Sequence, residues 1–316
     1  MSSSTLNRRQ FITAALGFTG MLGLAACGSS ASTNSSDAST PTGSSRRTRP
    51  SSSSASTNSS DASTASQSTG SSSSFDGNFV LGFDQDFPPY GYVGDDGSYT
   101  GFDIDLAKAV CDREGWTFTP TPISWDAKDT LLNSGQITCI WNGFTIEGRE
   151  DGYAFTDPYM ENRQVIVVPA SSDVRKLSDL AGKNVITQAD SAALDVLSEG
   201  GSQEELGKSF GNLQTIDNYN TAFMMLESGQ VDAVAIDYPV AVFNIGDKTA
   251  DFHILDENLN SEHFGVGFAK TDEGEKLAKT VEADLQALDA AGTVKELCDK
   301  YADQGVSYDL WCLPKA

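Results

Sequence analysis

Histidine is scarce in this chain of 316 residues, which contains only His253 and His263. Neither lies near a group of cysteines, so the sequence does not predict a metal site. We also find no nucleophile–base pair and no phosphate-binding loop, and no cofactor is expected. These absences turn attention from metal and phosphate chemistry to binding.

Basic residues are also few, since 21 lysines and arginines stand against 44 acidic residues and give a net charge of −23. Residues 1–74 hold five arginines and only two aspartates, so the rest of the chain is more acidic than the whole. Such a body would repel nucleic acid, and no nucleic-acid partner is expected. Acidity alone does not indicate a cationic ligand, because it more often serves solubility.

The N-terminal region lacks a hydrophobic run long enough to span a bilayer, which needs about 20 residues. The apolar stretch from Phe11 to Ala26 follows Arg8 and Arg9 and ends at Cys27. A charged start, a short apolar run and a small-residue cleavage site are typical of a secretory signal, here residues 1–27.

Two short motifs refine this signal. Residues 7–12 resemble a twin-arginine export signal, and residues 24–27 resemble a bacterial lipobox. The resemblance implies that Cys27 is lipidated and anchors the protein to a membrane. The alternative is an ordinary secretory signal with a chance cysteine.

Residues 28–74 lack apolar side chains that could form a core, and SSASTNSSDAST occurs at 29–40 and again at 53–64. The segment is predicted to be a flexible tether. Its three arginines, at 46, 47 and 49, suit contact with anionic lipid or simple solvation.

The cysteines do not decide whether the protein contains disulfides. Besides Cys27 there are four, and export makes disulfides possible. Cys298 and Cys312 are near enough in sequence to staple the last helix to the tail, while Cys111 and Cys139 fit buried thiols. The sequence does not fix the pairing.

A weak internal repeat indicates two similar lobes. Residues 132–140 (LNSGQITCI) match residues 226–234 (LESGQVDAV), and each reads as a helix end, a C-cap glycine and an apolar strand. Helices alternating with short strands predict an α/β sheet in each lobe. At the same offset Gly143 corresponds to Asp237, and both follow a strand, where ligands bind in open α/β sheets.

The segment 82–110, GFDQDFPPYGYVGDDGSYTGFDIDLAKAV, contains several candidate binding groups. Asp84 ends a strand, two prolines fix a turn between Phe87 and Tyr90, and a helix follows. An acid, aromatic rings and a rigid turn on a loop predict a small-molecule site.

The order of elements predicts strands at 78–84, 116–123 and 183–188, helices at 103–114 and 125–133, and a helix that begins near Ser191. Extended runs at 163–168 and 265–269 are predicted to cross between the lobes, and the helices of 273–302 to pack on lobe 1. The expected limits are 75–168 with 266–316 for lobe 1, and 169–265 for lobe 2. Two crossings form a hinge that suits closure on a ligand.

Three segments resemble the family 3 extracellular solute-binding proteins, the polar amino-acid receptors of ATP-driven uptake transporters. They are GFDQDFPPY with GFDIDLAKAV, WNGFTIEGREDGYAFTDPY at 141–159 and VDAVAIDYPVA at 231–241. The resemblance covers residues 78–316. It implies a two-lobed periplasmic-binding-protein-like fold of type II, an amino-acid ligand and a permease partner. Together with the lipobox-like residues and the tether, it predicts a lipid-anchored receptor outside the cytoplasm, and we expect a monomer.

The resemblance also implies roles for individual residues. Arg149 would clamp the ligand carboxylate, Asp237 would accept the ammonium, and Asp84 would contact the ligand side chain. The remaining expected site residues are the aromatic walls Phe87 and Trp125, the polar loop Asn142, Gly143 and Thr145, and the helix start Ser191 and Ala192. Taken alone, Arg149 also fits a solvated surface residue and Asp237 a helix cap.

Physical chemistry agrees with these roles, because a zwitterion needs a planar cation for its carboxylate and an anion for its ammonium. Asp190 and Ala192 depart from the glycine and hydroxyl residue usual in the family, and Asp84 with Asp190 favours a cationic ligand slightly. The ligand class expected is a basic amino acid, glutamine or cystine. The competing functions are an enzyme of dehydratase type and a surface sensor on the same fold.

Overall fold

The computed structural model describes residues 75–314, so the predicted signal, the tether and Cys27 lie outside the described residues. Its strands are β1 Asn78–Phe83, β2 Asp86–Phe87, β3 Gly91–Val93, β4 Tyr99–Thr100, β5 Thr117–Pro122, β6 Cys139–Ile140, β7 Tyr153–Phe155, β8 Met160–Pro169, β9 Asn184–Gln188, β10 Asn212–Ile216, β11 Ala233–Asp237, β12 Phe252–Ile254, β13 Asn260–Phe264 and β14 Gly267–Ala269. Its α-helices are α1 Phe102–Glu114, α2 Lys128–Asn133, α3 Ala192–Leu197, α4 Glu204–Ser209, α5 Tyr219–Glu227, α6 Tyr238–Ile245, α7 Asp272–Ala290 and α8 Thr293–Lys300.

The strands form two larger sheets, one in each lobe. The first has the order β5-β1-β6-β14-β7, and the second has the order β10-β9-β11-β8-β12 with β13 also paired to β8. A small sheet, β2-β3-β4, carries the turn after Asp84. The predicted two-lobed α/β fold is confirmed.

The repeat occupies equivalent places in the two sheets. Gly135 and Gly229 both have φ of +73°, a left-handed conformation that glycine adopts without strain, and the chain then enters β6 or β11. Thr138 accepts a hydrogen bond from the Val80 amide, as Asp232 does from the Asn184 amide. The side chains of both repeat residues therefore bind the backbone of the neighbouring parallel strand.

Strand pairing moves the first predicted lobe boundary. The sequence division left residues 163–168 in lobe 1, but all of β8 belongs to the second sheet, where Gln164 pairs with Asp237 and Pro169 with Phe252. The crossing therefore precedes Met160. An apolar extended run fits either sheet, and the sequence pattern does not say which one it joins. The return crossing lies between Phe264 and Gly267, since β14 pairs with β6 and β7.

The C-terminal helices pack on lobe 1, as expected from the sequence. The buried face of α7 carries Leu277, Val281, Leu285 and Leu288, and the helix contacts α1 and β14. This spacing places all four on one side of a helix with 3.6 residues per turn. Within residues 75–314, no helix has the length and apolar character to cross a membrane.

The fold brings four loops together because four strands end at one place. The strands β1, β6, β9 and β11 are followed by Asp84, the 141–149 loop, the start of α3 and the start of α6 respectively. The first two belong to lobe 1 and the last two to lobe 2. Ligands of open α/β sheets bind outside such carboxyl ends.

Candidate functional site

A cavity between the lobes, the interlobe cavity, is lined by nine of the ten residues that the sequence predicts for the site. Its lining consists of Phe87, Trp125, Asn142, Gly143, Thr145, Arg149, Gln188, Ser191, Ala192 and Asp237. The cavity volume is about 20 Å³, enough for a single water molecule. The lobes therefore lie close against each other across the cavity.

Asp84 differs from the expectation, because it does not line the interlobe cavity. Its carboxylate is buried, accepts the Asp86 amide at 2.8 Å and accepts Gln188 Nε2 from lobe 2 at 2.6 Å. Burial is the main cause that raises the pKa of Asp84. Asp84 thus holds Gln188, which the sequence did not nominate although it ends β9 beside Ser191.

Arg149 bridges the lobes from the loop after β6. Its Nη2 donates to the Asp190 carbonyl at 3.0 Å and to Asp195 Oδ2 at 2.8 Å, and its guanidinium lies 5.3 Å from the Phe144 ring centre. The side chain is only 12% exposed, whereas that of Asp195 is 62% exposed. A freely solvated surface arginine does not fit these contacts.

The turn before α3 supplies polar groups from lobe 2. Ser191 is the N-cap residue, and its hydroxyl accepts the Leu194 amide at 3.2 Å. Asp190 has a left-handed φ of +55°, and its carbonyl accepts both Trp125 Nε1 at 3.1 Å and Arg149. Amides in the first turn of a helix have no partner in the helix itself and can donate to an anion, although here Ser191 already accepts the amide of Leu194.

Asp237 is the acidic residue that lines the interlobe cavity, and it is the last residue of β11. It is 4% exposed, and its Oδ1 accepts Asn162 Nδ2 and Gln164 Nε2, each at 2.7 Å. Burial, followed by the nearby charge of Glu262, raises the pKa of Asp237 to about 7. Its side chain makes no cap hydrogen bond to α6, so the capping alternative is not supported.

Glu262 is a second buried acid that the sequence did not nominate. It lies on β13 and accepts Thr145 Oγ1 at 2.9 Å. Burial raises the pKa of Glu262 as well. Its neighbours Ser261 and His263 are polar, so the alternation that marks a buried strand position is absent from the sequence.

Aromatic side chains form two walls of the cavity. The Phe87 ring lies 6.1 Å from the ring of Tyr219 in lobe 2, and the Trp125 ring packs edge-on at 5.6 Å against Phe144. Rings at these distances and angles attract through their quadrupoles and present rigid apolar surface. Phe87 and Trp125 therefore give the interlobe cavity two rigid apolar surfaces.

The loop with Asn142 and Gly143 is held by buried acids and amides. Asn142 Oδ1 accepts the Asp84 amide at 2.9 Å, and the Gly143 amide donates to Asp103 Oδ2 at 2.6 Å. Asp103 also accepts the Tyr159 hydroxyl at 2.9 Å, and burial raises the pKa of Asp103 to about 7. The sequence did not nominate Asp103, because an acid in a first helical turn normally reads as a dipole partner.

The four cysteines of the described residues do not line the interlobe cavity. Cys111, Cys139, Cys298 and Cys312 are free thiols in the described structure. Other polar contacts also join the lobes, for example Asn220 Nδ2 to Asp86 Oδ1 at 3.2 Å.

A cavity between two α/β lobes that is lined by an arginine and a buried aspartate can be compared with the sites of known proteins. Residues 79–304 match the sequence profile of the bacterial extracellular solute-binding proteins, family 3. The chain belongs to this family. The solute-binding family thus accounts for most of residues 75–314, and the resemblance deduced from the three motifs is confirmed.

The alignments with two relatives in this family cover most of the length of each relative. The chain is 27% identical over 229 residues to the L-cystine-binding protein TcyJ of Escherichia coli, which covers 71% of this chain and 82% of the relative. It is 28% identical over 243 residues to the ABC transporter arginine-binding protein 1 of Escherichia coli, which covers 74% and 94%.

A solved structure of the family has the same fold. The crystal structure of an ABC uptake transporter substrate binding protein from Streptococcus pneumoniae with bound histidine superimposes with a TM-score of 0.69. It is 32% identical and covers 73% of this chain and 95% of its own.

Proposed function

We propose that this chain is an extracytoplasmic receptor that binds one polar amino acid in the interlobe cavity and delivers it to an ABC uptake transporter. The observation that carries the proposal is the presence of Arg149 and Asp237 in one cavity, contributed by opposite lobes. An amino acid is a zwitterion, and these two side chains complement its two charges.

The carboxylate end of the ligand suits Arg149 and the start of α3. Arginine offers a planar fork of donors, and the amides that follow Ser191 add further donors beside it. The ammonium end suits Asp237, whose Oδ1 is fixed by two side-chain amides. Loss of either charged partner in a closed site costs about 2–5 kcal/mol, since the other charge stays buried and unpaired.

The ligand class that we propose is a basic amino acid, glutamine or cystine. Two relatives are named for L-cystine and arginine, and the solved relative holds histidine. Three buried acids, Asp237 in the cavity lining and Asp84 and Glu262 hydrogen-bonded to lining residues, are compatible with a ligand that carries extra positive charge. Phe87, Trp125 and Gln188 would select among side chains.

Binding requires motion, because a volume of about 20 Å³ does not admit an amino acid. We propose that the lobes separate about the two crossings, before Met160 and after Phe264, and close again on the ligand. Closure would re-form contacts such as Gln188 with Asp84 and Arg149 with Asp190.

We further propose that the protein is exported, that Cys27 is lipidated and that residues 28–74 tether the receptor to the outer face of the cell membrane. The support is the lipobox-like sequence and the Ser-rich composition. We propose that the receptor works as a monomer and does not convert its ligand.

A thermal-shift screen against the common amino acids, L-cystine and L-ornithine tests the proposal. A ligand that binds the native state raises the melting temperature by mass action. We expect a shift with at least one of the named classes, and recovery of that ligand unchanged after hours of incubation. A screen without any shift would contradict the receptor function, and turnover of the ligand would indicate an enzyme.

A further inference from the structure

Glu262 lies immediately behind the residues that face the ligand site. It is 1% exposed, and its Oε1 accepts three hydrogen bonds, from Thr145 Oγ1 at 2.9 Å and from Asn162 Nδ2 and Gln164 Nε2 at 2.8 Å each. Thr145 comes from lobe 1, whereas the other donors come from β8 in lobe 2. Glu262 therefore ties the polar loop of lobe 1 to the second sheet.

Two side-chain amides connect Glu262 to Asp237. Asn162 Nδ2 donates to Asp237 Oδ1 at 2.7 Å and to Glu262 Oε1, and Gln164 Nε2 does the same. Each amide nitrogen has two hydrogens, so all four are committed. The arrangement is a closed ring of two carboxylate oxygens and two amide nitrogens, which fixes the position of Asp237.

The hydroxyl of Thr145 has a direction because of Glu262. A threonine hydroxyl has one hydrogen and two lone pairs, and the hydrogen points at Glu262 Oε1. The oxygen is then left as an acceptor only. Thr145 lines the interlobe cavity together with Asp237, so two acceptors are available there to an ammonium, which has three donors.

We propose that Glu262 is a positioning residue for the ligand ammonium: it turns the Thr145 hydroxyl into an acceptor and fixes Asp237 through the shared amides. This inference rests on the proposed function of the interlobe cavity. Glu262 itself does not line the interlobe cavity, but it lines a separate one of about 560 Å³, the far cavity, together with other residues of β8, β13 and α6.

The same arrangement gives ammonium binding a dependence on pH. The charge of Glu262 is the second cause, after burial, that raises the pKa of Asp237. The positive charge of Arg149 lowers the pKa of Glu262, and the phenols of Tyr90 and Tyr219 lie close to Asp237. The other charged or titratable residues that line the far cavity with Glu262 are Glu161, Arg163, His263 and Asp309.

The test compares Glu262→Gln, Glu262→Ala and a control, Glu161→Gln. Glutamine removes the charge but keeps an oxygen that can accept the three hydrogen bonds. Alanine removes the charge and the hydrogen-bond acceptor. Glu161 is an exposed acid on β8 in the far cavity, so its substitution removes the same charge without touching Thr145. Affinity is titrated from pH 5.5 to pH 8.5 with the tightest ligand among L-arginine, L-histidine, L-cystine and L-glutamine.

We expect Glu262→Gln to lower the pH midpoint of binding by about one unit, because the like charge beside Asp237 is gone. Glu262→Ala should weaken binding about tenfold or more relative to Glu262→Gln at pH 8, as expected for lost hydrogen bonds to a charged group. Glu161→Gln should match the wild type in both respects.

An unchanged pH midpoint in folded Glu262→Gln would overturn the inference while wild-type binding still supported the proposed function. Equal affinity of the alanine and glutamine variants would overturn it too. If Glu262→Ala does not fold, the midpoint of Glu262→Gln decides alone. Wild-type protein that binds none of the four ligands would overturn both the inference and the proposed function.

Discussion

The guanidinium of Arg149 in lobe 1 donates a 2.8 Å hydrogen bond to the carboxylate of Asp195 in lobe 2. A carboxylate therefore meets this cation across the cleft, at the edge of the interlobe cavity. The carboxylate of an amino-acid ligand has the same chemistry, so we propose that Asp195 competes with it for the guanidinium.

Arg149→Ala should weaken amino-acid binding strongly. We expect a loss of affinity of about 30-fold or more, because about 2 kcal/mol or more is lost when one partner of a buried charge pair is removed. The apo protein should remain folded, since a pair with an exposed acid such as Asp195 contributes about 1 kcal/mol or less. Ligand-induced thermal shift and apo melting temperature measure the two effects.

A suitable control is Arg175→Ala. The Arg175 guanidinium is exposed, and its Nη1 donates to the carbonyls of Ser172 and Val174, outside the cavity. Binding should be unchanged in this variant. An Arg149→Ala protein with the full ligand shift would remove Arg149 from the site.

Asp195→Asn should not weaken binding and is expected to tighten it up to about fivefold. The reason is that an exposed ion pair of about 0.2–1 kcal/mol no longer has to be exchanged for the ligand carboxylate. Isothermal titration of the variant beside the wild type measures the change. A clear loss of affinity would mean that Asp195 supports the ligand site rather than competing with it.

Affinity should fall as the pH drops below about 7. The ammonium needs an ionised partner, and Asp237 has a pKa raised to about 7 by burial and by Glu262. Titrations from pH 5.5 to pH 8.5 should therefore show the tightest binding on the alkaline side. Asp237→Asn, which keeps an Oδ1 acceptor for Asn162 and Gln164, should bind weakly at every pH.

The stability of the apo protein should respond to pH in the opposite sense. Native Asp237 keeps its proton to about pH 7, whereas an unfolded aspartate loses it near pH 4, so the native state binds more protons between these values. The free energy of unfolding then falls as the pH rises through that window. Asp237→Asn should reduce this fall in the free energy of unfolding by on the order of 2 kcal/mol. The pKa of Asp103 is also raised to about 7, so Asp103 accounts for part of the remaining fall.

Denaturant unfolding at pH 5 and pH 8 measures this difference. The wild type should be the more pH-sensitive protein, and Asp237→Asn the less sensitive one. If the free energy of unfolding changed equally between pH 5 and pH 8 in the two proteins, Asp237 would ionise in the native protein as it does in the unfolded chain.

Gly143→Ala should lower both stability and affinity. Gly143 has φ of +56°, and a Cβ there would lie 3.1–3.3 Å from the rings of Phe87, Tyr90 and Phe264. Gly135 is a matched control, because it has φ of +73° and no atom within 4 Å of an added Cβ. Both variants should lose about 1 kcal/mol from backbone strain. Only Gly143→Ala should lose more and bind weakly, and equal behaviour of the two would contradict the packing role.

Local patterns in the sequence predicted much of the fold and of the site. Gly135 and Gly229 mark two helix ends with the same backbone angle, Arg149 lies in the loop after β6, and Asp237 ends β11. These positions depend on short-range turn and cap chemistry, which the sequence displays directly.

The residues that the sequence did not predict depend on long-range packing. Glu262 and Asp103 are buried by elements distant in the chain, and Gln188 reaches the site because Asp84 of the other lobe holds it. Strand β8 joined the second sheet through pairing with β11, β12 and β13, which no local pattern specifies. A buried acid looks like a surface acid until its tertiary partners are known.

The most direct test of the account is isothermal titration of the purified protein at pH 8 with L-arginine, L-histidine, L-cystine and L-glutamine. We expect at least one of them to bind in a one-to-one complex with a dissociation constant in the micromolar range or below, and Arg149→Ala to bind it about 30-fold or more weakly. No binding by the wild type to any of the four at about millimolar concentration, with the protein folded, would contradict it.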